Sequence, residues 1–275
     1  MVLAAMIAVS PGPVEAGILE KLFAPRARLW DFWERHDKDS QDTIDHGRWA
    51  SFLGAYVRAD ASGINLVDYG SVSAEDRKSL STYIDSLQTE KISGYSRPVQ
   101  FAYWVNLYNA LTIRIVLDHY PVESIRKIKL SPGLFSKGPW SEKLLEIEGK
   151  KVSLNDIEHR ILRPIWRDPR IHYAVNCASV GCPDLMPVPY TEANAQRLLD
   201  QGAAAYVNHP RGVWIENGRL FLSSLYVWFE SDFGGDEAGI IEHIGQYAEK
   251  ELADHLEGIT EISGDDYDWE LNDSR

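Results

Sequence analysis

The strongest pattern in the chain is a run that leaves no polar face. From Phe101 to Leu117 nearly every helical turn is apolar all round, which predicts a helix enclosed by the core. Arg97-Pro98 opens it and Pro121 stops it. Elsewhere the apolar positions are one-sided. Residues 18–36 read as a helix with Leu22, Leu29, Trp30 and Trp33 on overlapping turns, and His46 to Tyr56 as a short helix built on Trp49, Phe52 and Leu53. Asp37 to Asp45 is a polar loop, and Asn65 to Tyr69 a brief apolar element. Ser73, followed by Glu75 and Asp76, is a helix start with a capping hydroxyl and acids in the first turn. That helix continues through Leu80, Ile84 and Leu87.

Past residue 140 the pattern changes. Leu144 to Ile147 and Lys151 to Leu154 flank Glu148-Gly149-Lys150. Arg211 to Ile215 and Arg219 to Leu222 flank Glu216-Asn217-Gly218. Both read as β-hairpins with glycine-containing turns. Helix signals occur at Asn155 to Glu158, from Thr191 to about Val207, at Leu225 to Phe229 and at Glu237 to Ala248. Tyr267 to Asn272 forms an aromatic tail. No repeat or long linker divides the chain, so residues 17–275 are expected to form one globular domain. Helices first and hairpins later predict an α+β fold: a helical layer with a buried central helix packed on antiparallel hairpins.

Composition narrows the partners. A hydrophobic fraction of 44% suffices for a sizeable core and excludes disorder for most of the chain. The net charge of −13, with no dense Lys/Arg stripe, argues against nucleic acid and against an anionic membrane surface. Val2 to Val9 is an apolar run too short to span a bilayer. Pro11, Gly12 and Pro13 break it, and Val14-Glu15-Ala16 spaces small residues as a signal peptidase site requires. No Lys or Arg precedes the run, so residues 1–16 are expected to be a truncated signal peptide. The expected location is periplasmic or secreted. Nothing later resembles a membrane span.

Candidate chemistry gathers in two places. Asn106 and Asn109 lie three apart on one face of the apolar helix. Buried amides must be bonded, so they either tie the helix to loop backbone or orient a catalytic side chain. The second place runs from His172 to Pro183. Ile171 to Val175, a strand or helix turn, delivers Cys177 into a loop of small residues containing Asn176, Ala178, Ser179 and Gly181 and ending at Cys182-Pro183. Small residues let backbone N–H groups approach a ligand. His172 with Arg167 and Arg170 would lower a thiol pKa, and Cys with His and Asn available is a constellation for a nucleophilic thiol. His159 offers a second imidazole, although Glu158 and His159, being adjacent, cannot share a helix face. Asp118, Asp232 and Asp268 are candidate orienters for a histidine. Competing readings are a Cys177–Cys182 disulfide, an inert buried Cys177, and a zinc site using His159, His172, Cys177 and Cys182. The spacing lacks the tight cysteine pairs of structural zinc motifs, and no metal or cofactor is expected.

Five blocks recur together: WVNLYNALTI with YPVESIRKI, KVSLNDIEHRILR, DPRIHYAVNCASVGCPDL, LFLSSLYVWFESDFG and YDWELN. In this order they resemble the domain-of-unknown-function family 547 over residues 44–272. The resemblance implies a bacterial, commonly exported protein and no particular reaction. Two functions are carried forward. One is a thiol-dependent hydrolase or acyl transferase with Cys177 as nucleophile, His172 or His159 as base and Asn106 or Asn109 as orienter. The other is a non-catalytic cell-envelope binding module with a Cys177–Cys182 disulfide. It would recognise a small molecule, peptide or envelope ligand through the aromatics Trp214, Phe221, Tyr226, Trp228 and Phe229. A dithiol redox role is a third option, with C-x4-C wider than the usual C-x-x-C.

Overall fold

The central helix α3, Arg97–His119, is buried from Val99 to Leu117 with only Arg114 partly exposed, as its unbroken apolar pattern predicts. The computed structural model describes residues 24–130 and 138–275. On the N-terminal side α2, Ala74–Thr89, packs on α3, and α1, Gly47–Tyr56, packs in turn on α2. The Ser73 side chain accepts the Asp76 N–H at the start of α2. Trp49, Phe52, Leu80, Tyr83 and Ile84 fill the space between these helices and α3.

The expected signal peptide, 1–16, lies outside the described residues, as does the beginning of the helix expected at 18–36. The described remainder of that segment is not helical beyond a single 3-10 turn, Asp31–Glu34. Its backbone is committed elsewhere: the N–H groups of Arg28 and Trp30 donate to the carbonyls of His159 and Arg160, at 2.8 and 3.0 Å. Trp33 inserts edge-on against Trp104. Tertiary bonding here overrides local propensity.

Small sheets complete the α+β fold. β1, Val57–Ala59, pairs antiparallel with β2, Asn65–Val67. β3, Leu145–Ile147, and β4, Lys150–Val152, form the first expected hairpin. Its turn residues Glu148 and Gly149 both have positive φ, as a two-residue type I′ turn requires. β5, Val213–Glu216, and β6, Arg219–Ser223, form the second around Asn217-Gly218. A strand not foreseen, β7, Ile262–Asp266, joins β6 in parallel. Its sequence, Ile-Ser-Gly-Asp-Asp, has no apolar alternation to announce it.

Helix α4 is composite: Leu154–Asp156 and Arg163–Trp166 are α-helical, and Ile157–Leu162 between them is a π turn. α5 is Ala195–Val207, starting later than Thr191 because Asn194 Oδ1 ties back to the Thr191 N–H in a turn. α6, Ser224–Trp228, and α7, Glu237–Gly245, were expected; α8, Lys250–Leu256, was not.

The apolar interior divides into a larger core around α3 and a smaller one between α5, α7 and the three-stranded sheet. The segment carrying the cysteines runs along their seam. Ile171, Ala174, Val175 and Ala178 point into the first core and Tyr173 into the second.

Candidate functional site

Two amides on α3 shape the cysteine loop. Asn109 Nδ2 donates to Ala174 O at 2.9 Å, and its Oδ1 accepts the Asn176 N–H at 2.8 Å. One turn earlier, Asn106 clamps Tyr190 in the same way, at 2.8 and 3.0 Å. A side-chain amide presents a donor and an acceptor side by side as a peptide group does, so each asparagine stands in for a missing backbone neighbour. Asn176 continues the scaffold: its Oδ1 accepts the Ala178 N–H and its Nδ2 donates to Pro183 O. Asn272 reaches Asn176 from the C-terminal tail. Ala178 is held at φ +60°, a left-handed conformation that a residue with a Cβ adopts only when its surroundings impose it. Asn106→Leu and Asn109→Leu are each expected to cost roughly 1–3 kcal/mol, because they would leave buried backbone groups of Tyr190, Ala174 and Asn176 without the amide that satisfies them. Urea melts check this, and unchanged midpoints for both would refute it.

Cys177, partly exposed, and Cys182, buried, are both free thiols. The structure thus gives no support to the disulfide weighed from the sequence. The Cys177 N–H donates to Cys182 Sγ at 3.0 Å. Cys177 Sγ lies 3.2 Å from Ser179 Oγ and 3.1 Å from Tyr267 Oη, and these hydroxyls are 3.0 Å apart. The hydrogen bond with the Cys182 thiol, aided by Ser179 and Tyr267, holds Cys177 below the ordinary thiol range although burial opposes it. Burial pushes Cys182 well up, and Tyr267 likewise, so both keep their protons.

The histidines are occupied elsewhere. His172 Nε2 donates to Asp232 Oδ2 at 2.8 Å, and the ring stacks on Phe229 at 4.3 Å. Of the three candidate orienters, Asp232 is the one placed on a histidine. His159 Nδ1 accepts from Arg163 Nη1 at 2.9 Å, and Arg163 Nε donates to Asp232 at 2.5 Å. Among the described residues, neither imidazole is a hydrogen-bond partner of the thiol. Burial lowers the pKa of both rings. Glu158 and His159 both point inward despite their adjacency, because the π turn that carries them is enclosed by protein. π turns recur at functional sites. Burial raises the Glu158 carboxyl to about 7, against the pull of Arg163 and a hydrogen bond from Tyr108. Tyr108 is within electrostatic reach of both Glu158 and the two cysteines.

The C-terminal strap, residues 267–272, crosses the cysteine loop in extended form. Gly181 N–H donates to Asp268 O and Val180 N–H to Glu270 O, each at 2.9 Å. A Cβ at Gly181 would sit 2.8 Å from the Asp268 backbone, so only glycine admits the strap here. Clefts of about 330 and 920 Å³ flank it, sharing Asp266, Tyr267 and Asp268. The aromatics grouped from the sequence separate: Trp214 stacks on Phe221, Tyr226 is core, Phe229 covers His172, and Trp228 packs on Tyr267 and Trp269. Tyr267 was missed as a site residue because a tyrosine 90 positions from a cysteine carries no local signal.

The family model described as a protein of unknown function, DUF547, matches residues 92–207. The chain thus carries a DUF547 domain there, a narrower span than the 44–272 read from the sequence blocks. It contains Asn106, Asn109, Glu158, His159, His172 and both cysteines, while Asp232 and Tyr267 come from beyond it. No curated protein and no solved structure matches the chain. Among the described residues, no group of three or more His, Cys, Asp or Glu side chains is arranged to hold a metal ion, and no helix is long and apolar enough to cross a membrane.

Proposed function

We propose that Cys177 is the nucleophile of a thiol-dependent acyl transfer or hydrolysis. The observation that carries this is the shell around its sulfur: two hydroxyls at 3.2 and 3.1 Å and a neighbouring thiol, which together favour the thiolate. The bias towards ionisation comes from the hydroxyls and the second thiol rather than from an imidazole. Tyr267 and Ser179 are within reach of the same atom to return a proton to a departing group. Asn109 and Asn176 act as positioning residues, since they hold the backbone on either side of Cys177.

Alkylation by iodoacetamide at pH 6 tests the activation. Cys177 is expected to react faster than a model thiol, and Tyr267→Phe or Ser179→Ala to slow it by roughly ten- to a hundredfold, the loss of about one hydrogen bond to a charged group. His172→Gln, with folding checked by circular dichroism, is expected to leave the rate nearly unchanged. Exposure to a small activated ester is then expected to leave a hydroxylamine-labile acyl group on Cys177. A Cys177 that reacts no faster than free thiol, or an ester that never acylates it, would overturn the proposal. A binding role remains the second reading, favoured by one observation: the larger cleft runs beside Tyr267 and Trp269, whose rings pack at 4.7 Å.

A further inference from the structure

Acyl transfer through Cys177 uses Cys182 only as a neighbour that favours the thiolate, and the geometry around that second sulfur is specific. Its Sγ accepts the Cys177 N–H at 3.0 Å, which presses the second sulfur against the backbone of the first. Each thiol shifts the ionisation of the other, Cys177 downward and Cys182 upward. The turn between them is closed by the Cys182 N–H on Ser179 O at 3.1 Å. Their environments differ in the way a sequential reaction requires. Cys177 is partly exposed at the strap, while Cys182 is 3% exposed, beneath it, with Val175 O as its remaining contact at 3.8 Å.

We infer that Cys177 and Cys182 form a dithiol couple that performs thiol–disulfide exchange on a small organic disulfide, with Cys177 attacking and Cys182 resolving. This shares with the acyl-transfer reading only the nucleophilicity of Cys177, and Cys182 separates the two. In the first step the Cys177 thiolate attacks one sulfur of R–S–S–R. The new Sγ–S bond forms as the S–S bond breaks, and the leaving thiolate takes up a proton from water. In the second step Cys182 gives its proton to water and its sulfur attacks Cys177 Sγ, displacing the second thiolate, which is protonated in turn. The protein dithiol loses two electrons and the substrate gains them, so one disulfide becomes two thiols.

The asymmetry of the pair orders these steps. The outer thiol is the one biased to ionise, so it attacks first. Once its sulfur is in a mixed disulfide it no longer shares a hydrogen bond with Cys182 as a thiolate. The buried sulfur then faces an electrophile at its side, and the substrate need not enter the buried site. Ser179 and Tyr267 stay within hydrogen-bonding distance of Cys177 Sγ, at 3.2 and 3.1 Å, to donate to the leaving thiolate.

The full chain, reduced and freed of reductant, is mixed with excess hydroxyethyl disulfide, quenched in acid and analysed by intact mass and peptide mapping. The expected product is an internal Cys177–Cys182 disulfide with two small thiols released per protein. In Cys182→Ser the reaction is expected to stop at a mixed disulfide on Cys177, with one thiol released. In Cys177→Ser the rate is expected to fall by roughly tenfold or more. Cys182→Ser keeps a hydroxyl beside Cys177 Sγ, so acylation of Cys177 by the activated ester is expected to slow but still to yield the hydroxylamine-labile adduct, whereas formation of the internal disulfide is abolished, and the two readings fail separately. A wild-type protein that accumulates a stable mixed disulfide at Cys177 while Cys182 stays a free thiol would overturn the inference, and that outcome needs no variant to fold.

Discussion

Replacing Asp232 by alanine is expected to destabilise the protein by about 3–5 kcal/mol, the cost of leaving a buried cation without its counter-charge. The Arg163 side chain is only 2% exposed, and Asp232 is the carboxylate on its Nε. The same oxygen accepts from His172. Burial alone would raise the Asp232 carboxyl, yet the hydrogen bonds from His172 and Arg163 overcome it and hold the group well below the usual carboxylate range. Arg163 also touches Pro25 O, the His159 ring and the face of Phe229, none of which carries a negative charge, and Glu158, whose carboxyl is raised to about 7, compensates only in part. Asp232→Asn retains an acceptor but not the charge, and is expected to lose less than the alanine variant. Urea midpoints of the two variants measure this. A midpoint for Asp232→Ala within error of the wild type would mean that Arg163 is solvated in solution.

The cluster also shows where sequence reasoning stops. The buried helix was legible because eighteen or so residues of unbroken apolar character admit one explanation. The two hairpins were legible because Glu148-Gly149 and Asn217-Gly218 supply the turn chemistry that fixes register. The cysteine loop stood out because small residues and two cysteines rarely cluster without cause. What escaped was every relation that depends on distance through space. Tyr267 reaches Cys177 only because β7 runs parallel to β6 and delivers the strap over the loop. His172 and Cys177 are five positions apart in sequence, yet the 3-10 turn Pro169–Tyr173 turns the imidazole towards Asp232. The N-terminal segment failed as a helix for the complementary reason: its apolar residues are at helical spacing, but its backbone donors are taken by α4.

Acidification is expected to weaken the fold steeply between pH 6.5 and pH 4. His46 and His243 are buried, each bonded to a tyrosine hydroxyl, His46 to Tyr83 at 2.6 Å and His243 to Tyr173 at 2.8 Å. Burial lowers each from 6.5 to about 4, against the attraction of nearby carboxylates. A histidine held neutral by the fold takes up its proton more readily once unfolded. Stability is therefore complete above the unfolded value and is lost as pH falls towards the folded one. At about 1.4 kcal/mol per unit, each ring contributes on the order of 3 kcal/mol across that window. His159 and His172 are shifted in the same direction and add to the loss. Glu158 opposes it: its carboxyl, raised to about 7, is protonated earlier in the folded state, so acidification from pH 7 to 4.5 favours the fold at that one site. One carboxyl offsets about one histidine, and the net sign stays with the remaining rings. Urea midpoints measured at half-unit steps from pH 7.5 to 4 are expected to fall throughout the lower part of the range. His46→Gln, which can still bond Tyr83, is expected to remove about one proton's worth of slope there. A midpoint that stays flat between pH 6.5 and 4 in the wild type would show that these rings are reached by water and charge without unfolding.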